Sequence, residues 1–302
     1  MKAAIVKSAT LKALVSSLVL LGGLSQVVHA EDANPNLVLA GTALEGNLTG
    51  NIGVYSKYIL RGITQTYGTT YDGSGPEQDT PALQGGVDYV LKNGFYAGYW
   101  FSTLGYNAAS FNPSSNNKHS TQNSVESDIY GGYTGTIGST GIGYTVGGTV
   151  YVYNPGWAST GYETKLGLSY GEVAFTAQTL LNDVTWGNSK DTYLLATWTH
   201  ALPKDFTFVG QVGAYYYGEH GEFFNSDNPA DGSFMQGFQN VDGSPSTTDK
   251  AKTFAFRHVT LGVTHALPFK GGTWGMQYIV GGQNRFGVRQ DNQIVGSLGM
   301  TF

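Results

Sequence analysis

Apolar and polar positions alternate along most of this chain. In residues 48–61, Leu48, Ile52, Val54, Tyr58 and Leu60 share one parity, while Asn51, Tyr55, Lys57 and Arg61 hold the other. Residues 81–91 set Leu83, Val87, Tyr89 and Leu91 against Gln84 and Asp88. Residues 124–137 set Val125, Ile129, Tyr133 and Ile137 against Glu126, Asp128 and Thr134. Residues 160–170 set Tyr162, Leu166, Leu168 and Tyr170 against Glu163, Lys165 and Ser169. The last segment, 291–302, sets Ile294, Leu298, Met300 and Phe302 against Asp291, Gln293, Ser297 and Thr301. Successive side chains of a strand point to opposite faces, so each segment can offer one face to lipid and one to a polar interior.

Turn residues punctuate the alternation. Lys92-Asn93-Gly94 carries the Asn-Gly pair that tolerates positive φ. Gly138 to Gly141, Gly171, Pro203-Lys204-Asp205 and Pro268 to Gly272 are the other tight connections. Longer polar stretches lie between them, at 62–80, 107–123, 154–160, 183–190, 218–251 and 283–290. The pattern predicts twelve strands joined by five short turns and six long loops. An even strand number puts both termini on one side, with the short turns periplasmic and the loops outside. Thr199-His200-Ala201-Leu202-Pro203 recurs as Thr264-His265-Ala266-Leu267-Pro268, as expected of a duplicated hairpin.

A soluble sandwich also alternates, but its outer face is charged. Here charged residues are 12% of the chain, against about 25% in soluble domains. Gly numbers 44 and aromatics reach 13%. No segment of the expected mature chain has the ~18 consecutive apolar residues of a spanning helix. The fold expected is therefore an all-β, antiparallel, up-and-down transmembrane β-barrel.

The first thirty residues read as a secretory signal. Lys2, Lys7 and Lys12 precede an apolar run from Ala13 to Leu24, and Val28-His29-Ala30 supplies small residues at the cleavage site. Residues 31–46 then form a short periplasmic leader and 47–302 the barrel. Without the signal, 13 of the 16 basic residues remain against 21 acids, a net charge of −8. So acidic a chain is a poor nucleic-acid binder. Absence of Cys removes disulfides and thiolate metal sites.

Several segments resemble the TorF-type porin family, also called the Gcw_chp group. The run Val54-Tyr55-Ser56-Lys57-Tyr58-Ile59-Leu60-Arg61-Gly62-Ile63-Thr64-Gln65 is similar to that family's first-strand motif. Pro81 to Gly86 and Gly94 to Gly98 resemble its first hairpin, and Glu126 to Tyr133 its fourth strand. Tyr151 to Pro155 and Gly167 to Gly171 match further on. The resemblance covers the first half of the expected mature chain and implies an outer-membrane barrel.

Candidate chemistry follows from the polar parity. Lys57, Arg61 and Lys165 stand against Asp88, Glu126, Asp128, Glu163, Glu172 and Asp291. On a lipid face such charges would cost up to about 2–4 kcal/mol each, so their phase predicts a lumen. They form either a constriction that selects solutes or ion pairs that pack the interior. Six acids against three bases predict a mild cation preference. His200 and His265 point outward at the periplasmic interface. Ser is plentiful in the loops and His119, His220 and His258 lie towards the outer side, but no nucleophile, base and orienting group fall together. The chain is therefore expected not to be an enzyme, and to need no cofactor or metal. The aromatic loop 218–251 would fold as a gate or an external lid. Gly131 to Gly148 lacks the Lys-Ser/Thr ending of a phosphate loop. Expected partners are outer-membrane lipid and lipopolysaccharide, small solutes, and the barrel assembly machinery, whose C-terminal aromatic signal Phe302 resembles. The expected function is passive or weakly selective diffusion of small hydrophilic solutes, the alternative a non-conducting structural or surface-binding barrel.

Overall fold

The computed structural model describes residues 46–65, 80–111, 123–218, 221–222, 252–285, 287 and 289–302. The signal, the leader up to residue 45, His119, His220 and most of the 218–251 loop lie outside the described residues. Strand β1 (Gly46–Tyr55) is followed by two short strands, β2 (Ile59–Leu60) and β3 (Ile63–Thr64). Then come β4 (Ala82–Leu91), β5 (Phe95–Thr103), β6 (Val125–Thr136), β7 (Gly143–Asn154), β8 (Gly161–Tyr170) and β9 (Val173–Leu180). The chain continues through β10 (Thr192–Leu202), β11 (Phe206–Tyr216), β12 (Phe254–Ala266), β13 (Gly272–Gly281) and β14 (Gln293–Thr301). Strands β1 and β4 to β14 pair in chain order, each antiparallel to the next, and β14 returns to β1. The sheet is thus a closed barrel of twelve strands. Closure is what lipid demands, because an unpaired edge would leave backbone groups with neither water nor partner.

The seam shows how the C-terminus completes the ring. Asn51 to Tyr55 of β1 pair with Thr301 to Ser297 of β14. Beyond the strand, the Gly50 amide donates to the Phe302 carbonyl at 2.8 Å, and the Phe302 amide donates back at 2.9 Å. The Phe302 ring packs over Gly50, where a Cβ would fall 2.5 Å from ring carbon Cε2.

The exterior is apolar all round. Ile52, Val87, Ile129, Leu166, Phe175, Val212, Leu261, Met276 and Ile294 are all exposed. A soluble protein of this size does not expose a continuous apolar band. Aromatic side chains crowd the turn end of that band. Trp198 meets Phe208 at 5.4 Å between ring centroids, Phe206 meets His265 at 4.3 Å, and Phe95 meets Tyr133 at 5.0 Å. Rings with a polar atom suit the membrane–water boundary.

The first strand departs from the expectation. Alternation continues to Leu60, yet β1 ends at Tyr55, and residues 56–65 fold inward as the β2–β3 hairpin. Tyr58, read from its parity as lipid-facing, is instead 1% exposed inside the barrel. Arg61 and Gly62 form the two-residue turn, at φ 51° and 80°. Tight hairpin turns require positive φ at both positions, which ends any extended strand there. The turn also enters a narrow space. A Cβ on Gly62 would lie 2.9 Å from the Arg257 carbonyl oxygen.

Inward positions change character along the barrel. Near the loop ends of β6, β7 and β8 they are large and buried: Glu126, Asp128 and Tyr130; Tyr153, Tyr151 and Thr149; Glu163 and Lys165. Near the turn ends of the same strands they are small and half-buried: Gly132 and Thr134, Gly147 and Thr145, Gly167 and Ser169. The interior is packed across its loop side and wider on its turn side.

Candidate functional site: a hairpin across the lumen

The tip of the hairpin is tied to the opposite wall by an ion pair. Arg61 Nη1 donates to Glu163 Oε1 at 2.8 Å, and Nη2 donates to Glu163 Oε2 at 2.6 Å. Their side chains are 9% and 2% exposed. Arg61 also donates to the Tyr215 hydroxyl at 2.6 Å and the Tyr151 hydroxyl at 3.1 Å. Tyr151 in turn donates to Glu163 Oε2 at 2.7 Å. The guanidinium sits 4.8 Å from the centroid of the Tyr193 ring. A planar fork on a carboxylate, ringed by aromatic faces, is the setting in which Arg retains its charge out of water.

Behind the tip stands Arg257, 1% exposed. Its Nε donates to the Arg61 carbonyl at 3.3 Å and its Nη1 to the Gln283 carbonyl at 2.9 Å. Arg257 points inward because of a β-bulge. Gly213 pairs with His258 while Ala214 pairs with Phe256, so Arg257 is the extra residue and both Arg257 and His258 are buried. The His258 ring shares hydrogen bonds with the Tyr193 hydroxyl at 2.7 Å and the Thr260 hydroxyl at 3.0 Å.

The hairpin's base is anchored to the opposite side. The Gln65 amide donates to the Tyr58 carbonyl at 2.7 Å, and Tyr106 donates its hydroxyl to Gln65 Oε1 at 2.8 Å. Tyr58 packs on Trp100 at 5.6 Å and joins a buried cluster with Tyr96, Tyr130, Tyr151 and Tyr153. The side of the lumen bounded by β4 to β7 is filled by these rings. The other side retains a cavity with about 70 Å³ of room for water-sized occupants, partly continuous with solvent, beneath the hairpin.

Seven of the nine candidate charges are internal. Lys57 Nζ donates to Gln293 Oε1 at 2.7 Å, and Tyr130 donates to Asp88 Oδ1 at 2.6 Å. Glu126 accepts from the Tyr153 hydroxyl at 3.2 Å, and Asp128 lies two residues along the same inward face of β6. Lys165 lies two residues below Glu163 on β8 and is buried. Arg61 is held by Glu163, one of the acids expected in the lumen.

Two acids leave the interior. Glu172 lies in the β8–β9 turn, where His200 shares a hydrogen bond with its Oε2 at 2.9 Å and Trp198 donates at 3.0 Å. Those hydrogen bonds pull its carboxyl below the usual glutamate range. Asp291 is exposed ahead of β14. With Arg257 added, four acids (Asp88, Glu126, Asp128, Glu163) face four bases (Lys57, Arg61, Lys165, Arg257) among the described residues. The acid excess behind the expected cation preference is gone. The charges are also segregated. Asp88, Glu126 and Asp128 lie on β4 and β6, Glu163 and Lys165 share β8, and Arg257 lies on β12. His200 is exposed at the turn end as expected, and His258, expected towards the outside, is buried within.

A second ion pair braces the loop rim. Arg285 pairs with Asp191, which also accepts from the Gly218 amide at 2.8 Å and the Asn188 amide at 2.9 Å. Burial pushes the Asp191 carboxyl above the usual range, although Arg285 pulls it down. The sequence pattern did not show this pair, because both residues sit in connections without strand parity.

These features define a transmembrane β-barrel whose lumen is crossed by its own first connection. The chain belongs to the family described as "Bacterial protein of unknown function (Gcw_chp)", which matches residues 40–220. No curated relative matches the sequence. Among solved structures it is similar to a KdgM porin, at 7% identity over 84% of this chain and 98% of that one, TM-score 0.43. A NanC porin is similar at 14% identity over 84% and 98%, TM-score 0.43. Outer membrane phospholipase A from Escherichia coli is similar at 11% identity over 86% and 98%, TM-score 0.40. The last finding corrects the expectation that this chain is not an enzyme. An enzyme stands among the similar structures, so a barrel architecture gives no ground for excluding catalysis.

Proposed function

We propose that this protein is an outer-membrane porin of the TorF type, passing small hydrophilic solutes through a lumen narrowed by the Arg61–Gly62 hairpin. The observation that carries this reading is the change in the inward face. Small, half-buried Gly, Ser and Thr residues line the turn side, and charged and amide side chains meet at the hairpin. Twelve strands lie between the side-chain-filled eight-stranded barrels and the open sixteen-stranded channels. A large loop-side obstruction therefore leaves room for a path beside it. Charged groups at such a narrowing are what discriminate among solutes. The signal-like first thirty residues and the apolar girdle support placement in an outer membrane. The balanced charge census supports weak selectivity in place of a cation preference. Liposomes carrying the folded protein should swell in isotonic L-arabinose and more slowly in a trisaccharide. Swelling no faster than that of protein-free liposomes would overturn the reading.

A non-conducting structural barrel is the second reading. The filled β4–β7 side and the buried Arg61–Glu163 tie favour it. It predicts silent liposomes and a large loss of stability when the tie is cut.

Orientation follows from the short turns, which face the periplasm in barrels of this kind. The absence of Cys makes single-cysteine labelling clean. A membrane-impermeant maleimide should label Trp157→Cys on intact cells, since Trp157 is 72% exposed in the β7–β8 loop. It should not label Asn93→Cys in the β4–β5 turn, and the opposite pattern would invert the barrel.

Phe302 is the expected contact for the assembly machinery, with lipid and lipopolysaccharide as the surrounding partners. It is 70% exposed at the turn end, and its backbone closes the seam with Gly50. Its deletion should lower the fraction running as a heat-modifiable folded band from cells at least several-fold. An unchanged fraction would remove it from the assembly route.

A further inference from the structure

Two acids on the filled side of the lumen are short of partners. Glu126 and Asp128 are 0% and 3% exposed and lie two residues apart on the inward face of β6. Glu126 Oε1 accepts from Tyr153, but Glu126 Oε2 and Asp128 Oδ1 have no hydrogen-bond partner. Among the described residues neither carboxylate is in an ion pair. Arg61, the basic group that acts on both, is already forked onto Glu163. Burying a carboxylate without a counter-charge is costly, and a second one beside it adds repulsion.

A third unpartnered oxygen stands in the same row of the sheet. Gln84 of β4 faces Ser102 of β5, and Ser102 faces Glu126. Gln84 is 3% exposed, and its Oε1 likewise has no hydrogen-bond partner. The Ser102 hydroxyl between them donates to the Thr103 carbonyl instead, at 3.0 Å. The hairpin brings in buried Tyr58, within electrostatic reach of both carboxylates. The set is all oxygen: two carboxylates, a carboxamide and a phenol. Such donors, carrying two negative charges, suit a hard divalent cation. Calcium accepts irregular oxygen sets completed by water, whereas magnesium demands a near-ideal octahedron. Tyr58 and Gln84 also line the cavity beneath the hairpin, which gives an ion a wet route to the acids.

We infer that Glu126 and Asp128, with Gln84 and Tyr58 beside them, form a calcium site on the inner wall of β4 to β6. The site departs from the expectation, drawn from the sequence, that the chain needs no metal. Binding there does not require conduction.

The test uses the full chain, refolded without lipopolysaccharide into zwitterionic micelles and stripped with a chelator. Terbium serves as the luminescent probe. Trp100 faces Asp128 in the ladder and packs on Tyr58, so it is placed to sensitise a terbium ion there. Exciting the aromatic residues should give terbium emission that calcium displaces. Glu126→Gln and Asp128→Asn should each weaken calcium in this competition at least ten-fold. Asp205→Asn, in the exposed β10–β11 turn, should leave it unchanged. Calcium should also raise the temperature at which the wild-type heat-modifiable band is lost, and should not do so in the two site variants. If one site variant fails to fold, the other carries the test. If both fail, Gln84→Leu replaces them and should weaken calcium at least three-fold. Absence of displaceable emission overturns the site, and is what a proton shared by the two acids predicts. Unchanged calcium affinity in the folded site variants, an equal loss in Asp205→Asn, or an undiminished thermal rise in a site variant places any ion elsewhere and overturns it too.

Discussion

Arg61→Ala should lower the unfolding free energy of the barrel in micelles by about 3–5 kcal/mol, the usual cost of removing one partner from a buried ion pair. The cause is the group left behind. Glu163 is 2% exposed, and without the fork it keeps the Tyr151 hydroxyl as its donor. A buried carboxylate short of partners is costly because neither water nor a counter-charge replaces what was lost. Replacing both residues, Arg61→Met with Glu163→Met, should recover most of that loss, since a buried pair and an apolar pair of similar volume are often close in stability. Urea titration followed by the heat-modifiable band reads both variants. A loss below about 1 kcal/mol for Arg61→Ala would class the pair with solvent-exposed salt bridges and contradict a buried tie.

Gly62→Val should raise single-channel conductance several-fold while the barrel still folds. Gly62 has φ 80°, a region that a β-branched residue enters at a cost of roughly 1–2 kcal/mol or more. Its new Cβ would also meet the Arg257 carbonyl oxygen at 2.9 Å and the His258 Cβ at the same distance. A backbone carbonyl within a barrel strand cannot step aside, so the hairpin must. None of the twelve barrel strands pairs with β2 or β3, so displacing the hairpin leaves the ring's own ladder intact. An unchanged conductance from a folded variant would show that the hairpin does not limit the path.

The twelve strands were legible because lipid imposes a simple rule on every spanning segment. Ile129 and Leu166 must face out while Glu126 and Glu163 face in, and the chain spells that out with period two. The inward hairpin was not legible by that rule. Residues 54–60 keep the alternation, and the turn that ends it is Arg61-Gly62, in place of the Asn-Gly or Asp-Gly that announces such a turn. The structure reuses one parity for two purposes, first lipid and then lumen, so Tyr58 was misplaced. Arg257 was hidden for a different reason. The bulge opposite Gly213 places two consecutive residues inside, which no periodicity can show. Glu172 falls between two strands, since Tyr170 ends β8 and Val173 begins β9. The pairing of Arg61 with Glu163, 102 positions apart, depends on the hairpin's reach across the mouth and leaves no local trace.

Planar-bilayer recording of the purified full chain tests the central claim most directly. A narrowed twelve-strand lumen predicts discrete, small conductance steps, with reversal potentials close to zero in a salt gradient because the internal charges of the described residues balance. A silent bilayer, from protein that runs as a folded heat-modifiable band, would contradict solute passage and leave the hairpin as a structural plug.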